Sequence, residues 1–88
     1  MQLKNILQKA TAELQRAGIE TAALDACVLL QKALDRDSVF LYTHPQNLLT
    51  NREYQKFRKF IRRRKTFYPV AYITGGKEFF GIDFQIIS

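Results

Sequence analysis

Apolar residues in the first third of the chain recur every three to four positions, the spacing of one face of an α-helix. Leu3, Ile6, Leu7, Ala10, Leu14 and Ala17 keep that period and Gly18 supplies a stop, which predicts a first helix over about residues 2–17. Thr21 is placed to cap a second helix running to about Leu34. Its Leu24, Cys27, Val28, Leu30 and Ala33 cover a broad arc, so this helix is expected to be the most buried. Asp25 falls in its first turn, where a carboxylate suits the helix dipole. Asp37 or Ser38 can cap a short third helix, Val39 to about Thr43. It closes at His44-Pro45, because the residue before proline avoids helical angles.

The fourth helix has the clearest start. Thr50-Asn51-Arg52-Glu53 is a capping box, in which the threonine covers a backbone N–H three residues on and the glutamate reaches back. At 100° per residue, Tyr54, Phe57, Phe60 and Ile61 share one arc, and Arg52, Lys56, Arg58, Lys59, Arg62, Arg63 and Lys65 fill the opposite half. Arg64 breaks the division by projecting into the apolar arc. Either the helix frays before it, or Arg64 is half-buried against a carboxylate, since a buried unpaired guanidinium is too costly to keep. Beyond Tyr68, Pro69 to Ile73 reads as a short apolar turn or helix. Residues 77–80 and 82–86 then resemble two short strands meeting near Gly81, the second with the alternation of a half-buried strand. Such a hairpin is marginal alone and needs something further to pack on, so the chain is expected to be part of a longer protein. The expected fold is mainly α: a small bundle of about four to five helices over residues 1–68, then a linker with a β-hairpin over residues 69–88. An unpaired hairpin edge can also recruit a second copy, so the chain is expected as a monomer or as a dimer through the exposed hairpin.

Composition narrows the partners more than the fold. Of 88 residues, 47% are hydrophobic and 25% charged, ordinary values for a single globular domain and against disorder. The longest apolar run, Ala26 to Leu30, is far short of the ~20 residues of a membrane span. The opening residues do not resemble a signal peptide, and the chain is expected to be cytoplasmic. The net charge of +6 sits in one segment. Between Arg52 and Lys65, eight basic residues face the single Glu53, a net of +7, and the remaining six basic and seven acidic residues net −1. Charge so concentrated points to an anionic partner, either a nucleic acid or an acidic protein surface, with a merely solvated face as the plain reading.

Catalytic chemistry is not legible. The single Cys27 has no neighbouring base and reads as a small core residue. The single His44 falls at a helix end, where its ring can meet free carbonyls. One cysteine and one histidine cannot make a four-ligand zinc site of the usual kind, and no metal is expected. Gly75-Gly76 lies outside any phosphate-cradling pattern. The residues alone therefore read as a helical binding module with one basic face.

One stretch adds a specific likeness. Arg63-Arg64, followed by Pro69-Val70-Ala71-Tyr72-Ile73-Thr74-Gly75-Gly76-Lys77-Glu78-Phe79-Phe80-Gly81-Ile82-Asp83-Phe84, resembles the segment preceding the catalytic domain in release factor glutamine methyltransferases of the HemK/PrmC type. Asp25-Ala26 with Leu29-Leu30, and Phe40-Leu41 before His44, fit that family's N-terminal helices more loosely. The family often places a glycine between the arginine pair and the proline, where this chain has Lys65-Thr66-Phe67-Tyr68. The resemblance implies a whole protein that uses S-adenosylmethionine to methylate the side-chain amide of the glutamine in the GGQ motif of peptide chain release factors. It implies that the cofactor loop and the amide-gripping motif lie in another domain, so no catalytic or cofactor-binding residue falls on positions 1–88 and this chain binds no cofactor itself. Under that reading Arg52, Lys56, Arg58, Lys59, Arg62, Arg63 and Lys65 are candidates for holding the release factor. Tyr72, Phe79 and Phe84 are candidates for packing the linker on the catalytic domain. A nucleic-acid-binding module and a scaffold without a partner are the alternatives. Against the first, helix four carries no aromatic residues interleaved on its basic face.

Overall fold

The computed structural model describes residues 1–74, and they form five helices: α1 Leu3–Arg16, α2 Ala22–Leu34, α3 Ser38–Thr43, α4 Asn51–Lys65 and α5 Val70–Ile73. The mainly helical expectation holds. The hairpin, with Phe79 and Phe84 and any pairing of copies through it, lies outside the described residues.

α2 is the centre of the bundle, packed against α1, α3 and α4, while α4 also meets α1 and α5. Its burial follows the expectation, and its buried face does so in part, at Leu30 and Ala33. Ala22, Ala26, Leu29, Leu30, Ala33 and Leu34 enter the core, whereas Leu24 is 63% exposed and Cys27 and Val28 are only partly covered. A helix apolar nearly all round has no unique inner face by pattern alone, and here the side carrying the three alanines meets its neighbours. Leu3, Ile6, Ala10 and Leu14 of α1, Leu41 of α3, and Phe57 and Ile61 of α4 complete the core, with Ile73 of α5 closing one end.

The helix ends show how local chemistry and tertiary contacts divide the task. α1 has no side-chain cap. Its first free N–H groups are satisfied across the fold, Leu3 N–H on the Asn47 carbonyl (2.8 Å) and Lys4 N–H on that of Pro45 (2.9 Å). At its other end the Gly18 N–H meets the Gln15 carbonyl (3.0 Å), and the Gly18 φ of 89° turns the Ile19 N–H back onto the carbonyl of Leu14 (3.1 Å). This is the left-handed C-terminal motif glycine favours, sealed by contact between buried apolar residues, here Ile19 and Leu14. The Thr50–Glu53 capping box is present on both arms, at 3.1 and 2.9 Å. Asp37 rather than Ser38 caps α3, accepting the Phe40 N–H at 3.0 Å. His44 ends that helix, its Nδ1 within 3.2 Å of the Phe40 carbonyl and its ring stacked on Phe40 at 4.2 Å. Thr21 does not cap α2 with its side chain. Its hydroxyl donates instead to Asp25 Oδ2 at 3.0 Å, because that carboxylate has a larger role described below.

Helix α4 ends at Lys65, and Phe67 then takes φ 66° with its N–H on the Arg64 carbonyl at 2.8 Å. A bulky side chain in the left-handed region is strained. It falls in the stretch where the family pattern often carries glycine, the residue that occupies this conformation without strain.

Candidate functional site

The basic residues of α4 separate into three stripes. The inner stripe is the core one, in which Phe57 and Ile61 are fully buried and Arg64 follows at the same helical spacing. Arg64 neither frays nor stays unpaired. Its Nε donates to Asp25 Oδ2 at 2.8 Å and its Nη1 to the Tyr68 carbonyl at 3.2 Å. Both side chains are largely shielded, Arg64 17% and Asp25 9% exposed, so each charge answers the other where water reaches poorly. Asp25 thus joins α2 to α4 and does more than sit well in a helix dipole.

The second stripe faces α1. Arg58 lays both guanidinium nitrogens on the Glu13 carboxylate, Nη1 on Oε1 at 2.7 Å and Nη2 on Oε2 at 2.9 Å. Lys65, two turns further on, reaches the same Oε2 at 2.8 Å. The Arg58 hydrogen bonds are the main cause holding the Glu13 carboxyl at about 2, below its ordinary 4.5. Partial burial opposes them and Lys65 reinforces them. Reciprocally, Glu13 pushes the Arg58 guanidinium above its already high value. These two candidates for partner binding therefore tie α4 to α1. Glu13 carried no sequence signal as their partner, beyond the spacing of Arg58 and Lys65 along one edge of a helix.

The third stripe is open. Arg52, Lys56, Lys59 and Arg63 succeed one another at steps of four, three and four residues, which places them within an arc of about 60° on the helix. Arg62 borders them, and all five side chains are exposed. None forms an ion pair with a carboxylate among the described residues. Arg63 is the one with a visible intramolecular partner. Its guanidinium lies 4.7 Å over the centre of the Tyr68 ring. With Lys59, Arg62, Thr66 and Tyr68 it lines a shallow cleft of about 290 Å³ at the C-terminal end of α4. Tyr68 was not singled out as a site residue by the sequence, because it lies beyond the helix and only the chain's turn at Phe67 brings it back. Tyr72 of α5 is 59% exposed and 6.0 Å from Tyr68, ring to ring.

No group of three or more His, Cys, Asp or Glu side chains that could hold a metal ion occurs among the described residues. No helix among them is long and apolar enough to cross a membrane. Cys27 is partly buried, with Gln31 Nε2 at 3.4 Å from its sulfur.

Comparison with known proteins decides the family. The model of the PrmC N-terminal domain matches residues 5–75. The chain belongs to the PrmC N-terminal domain family. A release factor glutamine methyltransferase of Clostridium botulinum is 36% identical over 86 residues, covering 98% of this chain and 30% of that protein. One of Shewanella oneidensis is 38% identical over 70 residues, covering 80% of the chain and 24% of that protein. A bifunctional methyltransferase of Rickettsia conorii is 34% identical over 84 residues, 96% of the chain and 16% of that protein. No solved structure matches. The chain thus spans under a third of the length of these curated relatives. S-Adenosylmethionine, the methyl donor implied by the family, is a poor fit to the groove beside the end of α2. This groove, about 480 Å³, is lined by Val28, Gln31, Lys32, Asp35, Arg36, Asp37 and Thr74. It offers one large apolar side chain against an adenine ring, and its Asp37 carboxylate is engaged in capping α3.

Proposed function

We propose that this chain is the substrate-holding domain of an S-adenosylmethionine-dependent enzyme that methylates the glutamine side-chain amide in the GGQ motif of peptide chain release factors. The observation that carries the reading is similarity along almost the whole chain to release factor glutamine methyltransferases, joined to a helix whose open stripe of cations is left over after the bundle has used the rest. An amide nitrogen is a poor nucleophile, and a glycine-rich loop must be held in line with the methyl group before it reacts. Contacts far from the reacting atoms can supply that orientation. Arg52, Lys56, Lys59, Arg62 and Arg63 are the residues available to attract an acidic surface of the release factor, while Arg58 and Lys65 hold α4 in place. Tyr72, exposed beside Tyr68, is available to pack against the catalytic domain.

The test is association of the full-length enzyme with release factor, followed across a salt titration for the wild type and for Arg62→Glu/Arg63→Glu. The expected result is association slowed about tenfold at low salt and a flatter salt dependence, as for any charge that steers encounter. Association unchanged in rate and in salt dependence refutes the reading. Glu13 pairs with Arg58, so Arg58→Glu unsettles the bundle and is unsuitable as the probe.

A further inference from the structure

The five open cations are not equivalent, and the geometry points to one anchoring position among them: we propose that the cleft of Lys59, Arg62, Arg63 and Tyr68 takes a carboxylate-bearing segment of the partner protein, with Arg63 as the pre-positioned anchor. This rests on the reading of the basic face given above and adds where on that face recognition is concentrated and by what chemistry.

Three observations carry it. The cleft brings three cations around about 290 Å³ with no carboxylate of the described residues among its lining. That volume sits at the lower edge of small-molecule sites, roughly 300–1,000 Å³, and suits one or two side chains better than a cofactor. Next, Arg63 is held rather than free. Tyr68 lies under its guanidinium at 4.7 Å, so less rotamer freedom is lost when its remaining N–H groups meet an anion. By contrast, Arg52, Lys56, Lys59 and Arg62 have no such support among the described residues. Finally, of the four cations in the last turn of α4, Arg64 and Lys65 are paired with Asp25 and Glu13, whereas Arg62 and Arg63 meet no acid among the described residues. Of the two local hydroxyls, that of Thr66 is already used on the Arg63 carbonyl at 2.6 Å, so the donors left for an anion are cationic nitrogens and the Tyr68 hydroxyl.

The same geometry favours carboxylates over nucleic acid. Single-stranded nucleic acid is bound on bare aromatic faces on which bases stack. The cleft has one aromatic ring, and Arg63 covers a face of it. A guanidinium fork held in one orientation is instead the partner that a carboxylate pairs with in two hydrogen bonds.

The experiment titrates the 88-residue chain with hexaglutamate and, separately, with hexauridylate at low ionic strength, following backbone amide signals by NMR. Hexaglutamate is expected to move the signals of Lys59, Arg62, Arg63 and Tyr68 and to bind more tightly than hexauridylate. Arg63→Gln is expected to weaken it about tenfold, the ordinary effect of losing charge-assisted hydrogen bonds. Tyr68→Leu is expected to weaken it about threefold through loss of the ring beneath the guanidinium, and Tyr68→Phe, which keeps the ring, to weaken it less than Tyr68→Leu. Equal losses from Arg52→Gln or Lys56→Gln, no effect of Tyr68→Leu, or tighter binding of hexauridylate each overturn the proposal. A parallel titration with release factor separates the two levels. Sensitivity to Arg52→Gln and Lys56→Gln but not to Arg63→Gln overturns the anchor and leaves the proposed function standing. Insensitivity to all of these variants overturns both.

Discussion

Replacing Glu13 by glutamine tests whether the ion pairs between α1 and α4 hold the bundle. The change keeps the size of the side chain and removes the charge that meets Arg58 at 2.7 Å and Lys65 at 2.8 Å. A carboxyl held at about 2 instead of 4.5 corresponds to about 3 kcal/mol of folding stability at neutral pH, at ~1.4 kcal/mol for each tenfold change in proton affinity. Water screens part of this, since Lys65 is 39% and Glu13 21% exposed, and the expected loss in Glu13→Gln is about 1–2 kcal/mol. For a domain of this size that lowers Tm by roughly 4–16 °C. The pH dependence is the sharper test. Because the carboxyl pKa is depressed by folding, its stabilisation is complete above about 4.5 and disappears as the pH falls through about 2. The gap between wild type and Glu13→Gln should therefore shrink to about two-fifths of its neutral value at pH 3 and close further below it. Urea unfolding followed by circular dichroism at a series of pH values measures that gap directly. A gap that is absent at pH 7, or equally wide at pH 3, refutes the electrostatic account and leaves Glu13 as a packing residue.

The left-handed Phe67 should be improved by glycine. Relief of about 1–2 kcal/mol of backbone strain, less the added freedom of glycine in the unfolded chain, predicts that Phe67→Gly stabilises by about 0.5–1 kcal/mol, and a fall in Tm would show that the ring has contacts outweighing the strain. Asp25→Ala should lose about 2–4 kcal/mol, because Arg64 is left charged and shielded without its partner. The double variant Asp25→Leu/Arg64→Met should recover most of that loss in thermal unfolding, and equal instability of the two would indicate that Asp25 matters through Thr21 and the start of α2.

How much of this was legible in the chain depends on the range over which each feature is determined. The capping box of α4, the glycine stop of α1 and the histidine end of α3 involve groups within five residues of each other, so residue order nearly specifies them. The amphipathic pattern of α4 was equally plain, down to Arg64 as a cation that had to find an acid. Which acid it found was not. Asp25 and Arg64 lie 39 residues apart, and Glu13 and Arg58 45 apart, so only the packing of α1, α2 and α4 brings them together. The inner face of α2 was legible only in part, at Leu30 and Ala33 but not at Leu24, for a related reason. Apolar residues surround much of that helix, so hydrophobicity alone does not choose the side its neighbours cover, and the packing that buries Ala22, Ala26 and Ala33 leaves Leu24 in water. The candidate site shows the same division. Residue order alone determined that seven cations would gather on one side of α4. Tertiary structure decided that two of them brace the bundle and five remain open among the described residues, because a charge is spent or spared by what the fold sets within a few ångströms of it, and that distance is not written along the chain.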